Sequence, residues 1–315
     1  MRTCFHVNPS QPAWRVWAQA VRPFAFTASM VPVFLGAAAA LRAEVAVRWE
    51  LFPLVVLASL LIHTGTNLVN DYFDFRKGVD RAETYGSSRV LVDGLLRPRQ
   101  VLLAGLAAFA ATAAVGLIFI AIVGWPILVL GLAGMAGGFF YTALPVAYKY
   151  LGLGDMCVFW LMGPLMAVGS FLVLTGLWSW QVMAMALPVG ALVAAILSGN
   201  NLRDIADDAA AAVKTTAGFL GHRVARIEYA ALVSSAYGLV LVLIATGVLS
   251  AWALLTLLSL PPAVQNIRLA LRSSPNQRHT LATLDVQSAK VHLLFGVLLI
   301  FSIKFDFFSA ILNHR

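Results

Sequence analysis

The sequence predicts an all-α, multi-pass membrane protein, and two observations carry this prediction. Of the 315 residues, 60% are hydrophobic and only 11% are charged, whereas a soluble domain is usually about a quarter charged. Apolar runs of about 20 residues, the length of helix that crosses a bilayer, recur along the whole chain. The net charge of +8 is therefore interpreted by where the charges lie relative to a membrane, and we expect no nucleic-acid partner.

About nine apolar runs are long enough to be predicted as transmembrane helices. They cover residues 22–42, 51–70, 99–122, 125–145, 153–175, 180–200, 225–246, 250–270 and 290–311. Short turns join some of them, and longer charged segments join the others. We expect no signal peptide, because the start of the chain is polar and mixed. The predicted organisation is a cytoplasmic N-terminal segment, 1–21, and one transmembrane domain, 22–315.

The Lys and Arg residues support this topology. With alternate loops assigned to opposite sides, all but four of the 22 Lys and Arg residues share one side with the N-terminus. The four on the other side are Arg42, Arg48, Lys304 and Arg315. Because positive charge favours the cytoplasmic side, we predict a cytoplasmic N-terminus and cytoplasmic long loops.

Two clusters of carboxylates and amides follow apolar runs on this predicted cytoplasmic side. The first contains Asn70, Asp71, Asp74 and Asp80, and the second contains Asn200, Asn201, Asp204, Asp207 and Asp208. If the helices continue through the clusters, Asn70 shares a face with Asp74, and Asp204 shares a face with Asp208. Acidic groups are costly near a membrane and are usually functional there.

The ligand types in the clusters favour Mg²⁺ and a polyphosphate. The clusters offer only oxygen ligands, which suit Mg²⁺ rather than zinc, and the two Cys residues are too few for a Cys-based zinc site. A diphosphate held by such sites loses electron density, so that its allylic C–O bond breaks more easily. Cations nearby in the sequence are Arg76, Lys77, Arg89, Lys149, Arg203 and Lys214.

A simpler interpretation exists for each residue taken alone. Asn and Asp often cap helix ends or carry solvated loop charges. Asp71 and Asp207 are the most dispensable, because each duplicates a neighbouring ligand. Asp285 is interpreted as a surface or helix-end charge. Two clusters with matching spacing on one side of the membrane favour a functional site over capping.

At these residues the chain resembles the UbiA-type superfamily of intramembrane prenyltransferases. Within it, the chain is similar to the 1,4-dihydroxy-2-naphthoate prenyltransferases of menaquinone synthesis and their vertebrate vitamin K relatives. Residues 67–80 resemble the first motif of the family, 89–93 the segment after it, 148–155 a naphthoate-branch loop, and 200–208 the second motif. The resemblance implies nine helices around a central cavity open to lipid, with both motifs cytoplasmic in a bacterial cytoplasmic membrane.

The resemblance also implies roles for individual residues. Asn70 and Asp74 would hold one Mg²⁺, with Asp80 nearby, and Asp204 and Asp208 would hold the other. Catalytic roles would fall to Asp74, Asp204, Lys149 and Arg203. Diphosphate or prenyl contacts would come from Asn70, Arg76, Lys77, Arg89, Tyr141, Tyr148, Lys149, Asn201, Arg203 and Lys214.

The preferred hypothesis is an Mg²⁺-dependent enzyme of quinone biosynthesis. It would move a prenyl or polyprenyl group from its diphosphate to an aromatic acceptor. The preferred acceptor is 1,4-dihydroxy-2-naphthoate. A second hypothesis keeps the superfamily but changes the acceptor to hydroxybenzoate, homogentisate, a chlorin or a lipid, or makes the protein a terpene cyclase. A third is a transporter, whose charges would lie at the membrane midplane. Here the carboxylates fall at helix ends, which favours the enzyme.

Overall fold

The computed structural model describes residues 12–43, 45–82, 84–85, 87–275 and 278–313, and within these ranges the chain forms helices and loops without a β-strand. Residues 1–11 of the predicted N-terminal segment, and Arg315 of the topology, lie outside the described residues. The α-helices are α1 Ala13–Val21, α2 Thr27–Ala40, α3 Phe52–Lys77, α4 Pro98–Val123, α5 Trp125–Phe139, α6 Gly154–Trp160, α7 Met166–Thr175, α8 Trp180–Met185, α9 Leu187–Ala210, α10 Thr216–Ala245, α11 Leu260–Arg272 and α12 Leu284–Asn313. Shorter 3₁₀ helices cover Pro23–Phe26, Trp49–Leu51, Tyr148–Tyr150, Ala251–Ser259 and Arg278–Leu281, and a π-helical turn at Leu161–Leu165 joins α6 to α7.

The prediction of an all-helical, multi-pass membrane protein is confirmed. Eight helical segments of the described chain are long and apolar enough to cross a membrane. The run predicted at 125–145 forms α5, which has only 15 residues. Its last part turns away from the helix from Phe140 onward, because Pro145 cannot continue a helical hydrogen-bond pattern. A count of nine spans therefore depends on whether α5 crosses the membrane.

Helices α3 and α9 extend beyond the ends predicted from hydropathy. The run predicted to end at residue 70 stays helical to Lys77, where Gly78 ends it in a left-handed conformation. The run predicted to end at residue 200 continues to Ala210. Both acidic clusters therefore begin on helices, and the members spaced four residues apart share a helix face.

Helix α9 lies at the centre of the bundle and is the most completely buried of the candidate spans. It packs against α6, α10 and α12, while α2 packs against α7 and α3 against α4. Small residues allow the closest approaches between helices, as is usual in membrane bundles. At Gly36, for example, a Cβ atom would lie 2.2 Å from the Ala167 carbonyl oxygen and 2.9 Å from the Ser170 Cβ.

We predict that Gly36→Ala destabilises the bundle. The added methyl meets backbone of α7 that cannot move independently of its helix, and overpacking of this kind typically costs about 1–3 kcal/mol. The measurement is the midpoint temperature of thermal unfolding in detergent. The matched control is Gly116→Ala in α4, where nothing lies within 4 Å of the added Cβ. An equal or higher midpoint for Gly36→Ala than for this control would contradict the packing described.

Candidate active site

A polar cavity of about 90 Å³ lies where the ends of α3 and α9 meet. The two acidic clusters, far apart in the sequence, line the same space. Its carboxylates are Asp74, Asp80, Asp204, Asp207 and Asp208, and its cations are Arg22 and Lys149. Asn70, Asn200, Asn201, Thr84, Val79, Tyr141 and Leu197 complete the wall.

Asp74 is held by two groups from the loop between α5 and α6. The Lys149 Nζ lies 2.7 Å from the Asp74 Oδ2, and the Tyr150 hydroxyl donates to the Asp74 Oδ1. Burial lowers the pKa of Lys149, but the Asp74 carboxylate, together with Tyr141, Tyr150 and Asp208, raises it by more, so Lys149 stays protonated. The 3₁₀ turn Tyr148–Tyr150 thus brings a fixed positive charge to the end of α3.

The second cluster is held in place by Arg203 of the same helix, which also contacts Asp285 of α12. The Arg203 guanidinium donates to both carboxylate oxygens of Asp204, at 2.8 and 2.7 Å, and to the Asn200 Oδ1 at 2.9 Å. A further guanidinium nitrogen lies 3.2 Å from the Asp285 Oδ2. Since the Arg203 side chain is only 1% exposed, it positions the wall of the cavity and lines neither this cavity nor the larger one described below.

Asp71 and Asp208 each have a partner outside their own helix. Asp71 is buried, pairs with Arg22 and accepts a hydrogen bond from the Ser88 hydroxyl. Asp208 accepts a hydrogen bond of 3.1 Å from the Thr215 hydroxyl. Asp71 is therefore a structural residue that holds Arg22 in position, whereas Asp208 lines the polar cavity.

The donor set fits Mg²⁺. Among the described residues, the buried Asn70 Oδ1 accepts no hydrogen bond, and the cavity carboxylates Asp80 and Asp208 form no ion pair. Burial and the charges of Asp74 and Asp71 raise the pKa of Asp80 to about 8, which indicates a site short of positive charge. Among the described residues, no three His, Cys, Asp or Glu side chains gather into a ready-made metal centre. Mg²⁺ does not require one, because it binds through one or two carboxylates together with waters and substrate phosphates.

A larger cavity of about 550 Å³ adjoins the polar one. The two cavities share Arg22, Asn70, Tyr141, Leu197 and Asn200 as wall residues. Its body is mostly apolar, lined by Ile62, Leu161, Met162, Met166, Val193 and Ile196, with the small residues Gly134 and Gly138 of α5. The arrangement offers a charged compartment for a head group and an apolar one for a hydrocarbon tail.

Some of the residues singled out in the sequence come together and others do not. The polar cavity gathers Asn70, Asp74, Asp80, Tyr141, Lys149, Asn201, Asp204 and Asp208. Tyr148 lines the larger cavity and donates a hydrogen bond of 2.7 Å to the Gly137 carbonyl. Outside both cavities lie Arg76, Lys77, Arg89, Lys214 and the buried Arg203.

The exposed cations have other contacts. Arg89 pairs with Asp93 at 2.8 Å on the surface, so the two form a loop ion pair rather than part of the cavity. The Lys77 Nζ lies 3.7 Å from the centre of the Tyr150 ring, and the Lys214 Nζ lies 5.7 Å from that of Phe219. These positions place all three side chains beside the site and not on its walls.

Three residues at the site were missed as site residues by sequence reasoning. Arg22 lines both cavities, Tyr150 bonds Asp74, and Asp285 pairs with Arg203. Asp285, interpreted from the sequence as a surface or helix-end charge, does lie in the first turn of α12, and it contacts Arg203 from there. An available signal for Arg22 was its position as the first residue of the first apolar run, immediately before Pro23.

Comparison with known proteins agrees with this geometry. Residues 29–294 match the model of the UbiA prenyltransferase family. The chain is 32% identical to the 1,4-dihydroxy-2-naphthoate octaprenyltransferase of Bacillus subtilis (strain 168), with 92% of each chain covered. It is also 32% identical to the Homo sapiens UbiA prenyltransferase domain-containing protein 1, with 93% of this chain and 86% of that protein covered.

Solved structures share the fold. The apo structure of a UbiA homolog from Aeropyrum pernix K1 matches with a TM-score of 0.66 at 15% identity, covering 91% of this chain and 98% of that one. A UbiA homolog from Archaeoglobus fulgidus, bound to GPP and Mg²⁺, matches with a TM-score of 0.55 at 17% identity, covering 90% and 99%. With a family match over most of its length and relatives above 30% identity, the chain belongs to the UbiA prenyltransferase family and is a prenyl-transferring enzyme.

Proposed function

We propose that the protein transfers a prenyl or polyprenyl group from its diphosphate to 1,4-dihydroxy-2-naphthoate, in menaquinone biosynthesis. The observation that carries the proposal is the acidic polar cavity that shares a wall with a large apolar cavity. The relative from Bacillus subtilis bears the name of this activity, which supports the choice of acceptor. The solved homolog with GPP and Mg²⁺ supports a prenyl diphosphate as donor.

The donor would bind across the shared wall. Its diphosphate would occupy the polar cavity beside the Lys149 ammonium, and its tail would lie along the apolar side chains of the larger cavity. Lys149 is fixed by Asp74, so its charge is already in place when negative charge develops on the leaving group. Arg203 acts as a positioning residue, because it is buried behind Asp204 and Asn200.

Mg²⁺ would be held by Asn70, Asp74 and Asp80 on one side of the cavity and by Asp204 and Asp208 on the other. When bound, it would neutralise the diphosphate oxygens and stabilise the charge that the departing diphosphate acquires. Asn70 contributes a neutral oxygen that accepts no hydrogen bond from the described residues, while Asp80 and Asp208, which form no ion pair within them, supply the compensating charge.

The transfer breaks the allylic C–O bond, and diphosphate leaves with the bonding electrons. A ring carbon of the acceptor then forms a C–C bond to the prenyl group, and loss of the ring carboxylate as CO₂ returns electrons to the ring. Tyr141 lies on the shared wall, with the Lys149 Nζ 5.8 Å from its ring centre. Its electron-rich face is therefore close to where positive charge on the prenyl group would develop.

The active site would face the cytoplasm of a bacterial cell. This placement rests on the concentration of Lys and Arg on the side of the acidic clusters. It gives a cytoplasmic N-terminus and, if α5 crosses the membrane, nine spans. The diphosphate end of the donor would then enter from the cytoplasm while its tail stays in lipid.

The test is an activity assay with purified protein in nanodiscs. We expect geranylgeranyl diphosphate, Mg²⁺ and a pool of aromatic acceptors to yield prenylated naphthoate product, identified by mass spectrometry. Chelation with EDTA should abolish the product, and readdition of Mg²⁺ should restore it. Turnover of hydroxybenzoate or homogentisate but not of the naphthoate would contradict the acceptor, and turnover unaffected by EDTA would contradict the metal.

The apolar cavity also predicts that activity depends on the length of the prenyl tail when the cavity is made smaller. Gly134 lines it, and a Cβ there would lie 3.3 Å from the Ile62 Cδ1. Gly134→Leu should lower kcat/KM for geranylgeranyl diphosphate by at least about tenfold, because several methylenes of the tail lose their space. For geranyl diphosphate the loss should be within about twofold, since the shorter tail occupies less of the cavity.

The control is Gly131→Leu on the same helix, where nothing lies within 4 Å of an added Cβ. It adds the same side chain one turn away, at an exposed position that does not line the cavity. Equal losses for long and short donors in Gly134→Leu, or the same length dependence in Gly131→Leu, would show that this cavity does not hold the tail.

A further inference from the structure

Helices α10 and α11 are clamped together at the end of the bundle that carries the active site. The Arg226 Nη1 donates to the carbonyl oxygens of Leu271, at 2.8 Å, and Ser273, at 2.9 Å. The Ser273 hydroxyl lies 3.3 Å from the His222 Nε2. A guanidinium that satisfies the last carbonyls of a helix also complements its dipole. The start of α10 and the end of α11 therefore form one surface.

Three more arginines lie on this surface with unneutralised charge. Arg223 is three residues before Arg226 on α10, and Arg268 and Arg272 are one turn apart on α11. All three side chains are exposed. Within the described residues, none of them pairs with a carboxylate. We call Arg223, Arg268 and Arg272 the arginine patch.

The neighbours of the arginine patch are apolar and outward-facing. On α10, Ile227 lies one turn from Arg223 on the same helix face and is 54% exposed, and the adjacent Val224 is 45% exposed. On α11, Leu271 is 42% exposed beside Arg272. Both helices are candidate membrane spans, and these apolar side chains lie at the ends of their apolar runs, at the edge of the lipid-facing surface. Positive charge at the edge of a lipid-facing surface fits a ligand with an anionic head and an apolar body, and not a soluble acidic protein.

We propose that the arginine patch binds the headgroup of an anionic phospholipid, with its acyl chains against Val224, Ile227 and Leu271. Charge complementarity supplies the attraction, as for other basic pockets between transmembrane helices. The guanidinium groups offer forked donors that match phosphate oxygens. This site is separate from the polar cavity, whose wall contains none of these residues.

The experiment is native mass spectrometry of the full chain in detergent, titrated with phosphatidylglycerol or phosphatidylcholine of matched acyl chains. We expect the wild type to bind phosphatidylglycerol more tightly. The double variant Arg268→Gln/Arg272→Gln should lose this preference by roughly fivefold for each charge removed. Arg268→Lys/Arg272→Lys, which keeps the charge, should retain most of it.

The matched control is Arg97→Gln/Arg99→Gln, which removes two exposed charges near the start of α4. It should leave the preference within about twofold of the wild type. Equal losses in the two Gln pairs would show that net charge alone attracts the lipid and would overturn the site. A wild type without preference for phosphatidylglycerol would also overturn it. Size-exclusion profiles and thermal midpoints equal to the wild type establish that each variant is folded.

Discussion

A carboxylate buried at the edge of a membrane requires a cation, and this constraint organises one end of the molecule. Asp71 pairs with Arg22, Asp74 with Lys149, and Asp204 with Arg203. Two of these cations come from connecting segments distant in sequence, and Asp285 of α12 completes the contacts of Arg203. Removal of one partner of a buried pair costs about 3–5 kcal/mol. The pairs therefore hold the loop before α6 and the segment between α1 and α2 against α3. They also hold the start of α12 against α9.

The compensation is incomplete in the polar cavity. Asp74 pairs with Lys149, Asp204 with Arg203, and Asp207 with Arg81 at 3.8 Å, whereas Asp80 and Asp208 form no ion pair among the described residues. An excess of buried negative charge is unfavourable for folding, so its presence is best understood through a ligand that brings positive charge. Divalent cations together with a diphosphate meet that requirement. The surrounding apolar helices strengthen every such interaction by excluding water. In the proposed mode of donor binding, the reactive carbon would lie at the shared wall, between the charged compartment and the apolar one.

Much of the fold, and part of the candidate site, could be predicted from the sequence, because these features depend on local patterns. Hydropathy predicts the helices, and helical spacing predicts that Asn70 faces the same way as Asp74. The hydropathy pattern predicts the ends of the helices less well. Helix α5 stops at Phe139 while its apolar run continues, and α9 remains helical ten residues beyond its apolar run. The pairing of side chains that are distant in the sequence cannot be predicted from these local patterns. The sequence does not show that Arg203 turns toward Asp285, or that Lys149 pairs with Asp74, since both depend on how distant helices and loops pack.

If the two acidic clusters form one site for the diphosphate, their contributions to its binding are coupled. The most direct test is a double-mutant cycle on the binding of geranylgeranyl thiolodiphosphate, a donor analogue that ionises very slowly, with Mg²⁺ present. The proteins are the wild type, Asp74→Asn, Asp204→Asn and the double variant, each first shown to be folded. If the clusters act together, each single change removes most of the binding, and the loss in the double variant falls short of the sum of the single losses by more than about 1 kcal/mol. Strictly additive losses, or full affinity in either single variant, would contradict a shared site.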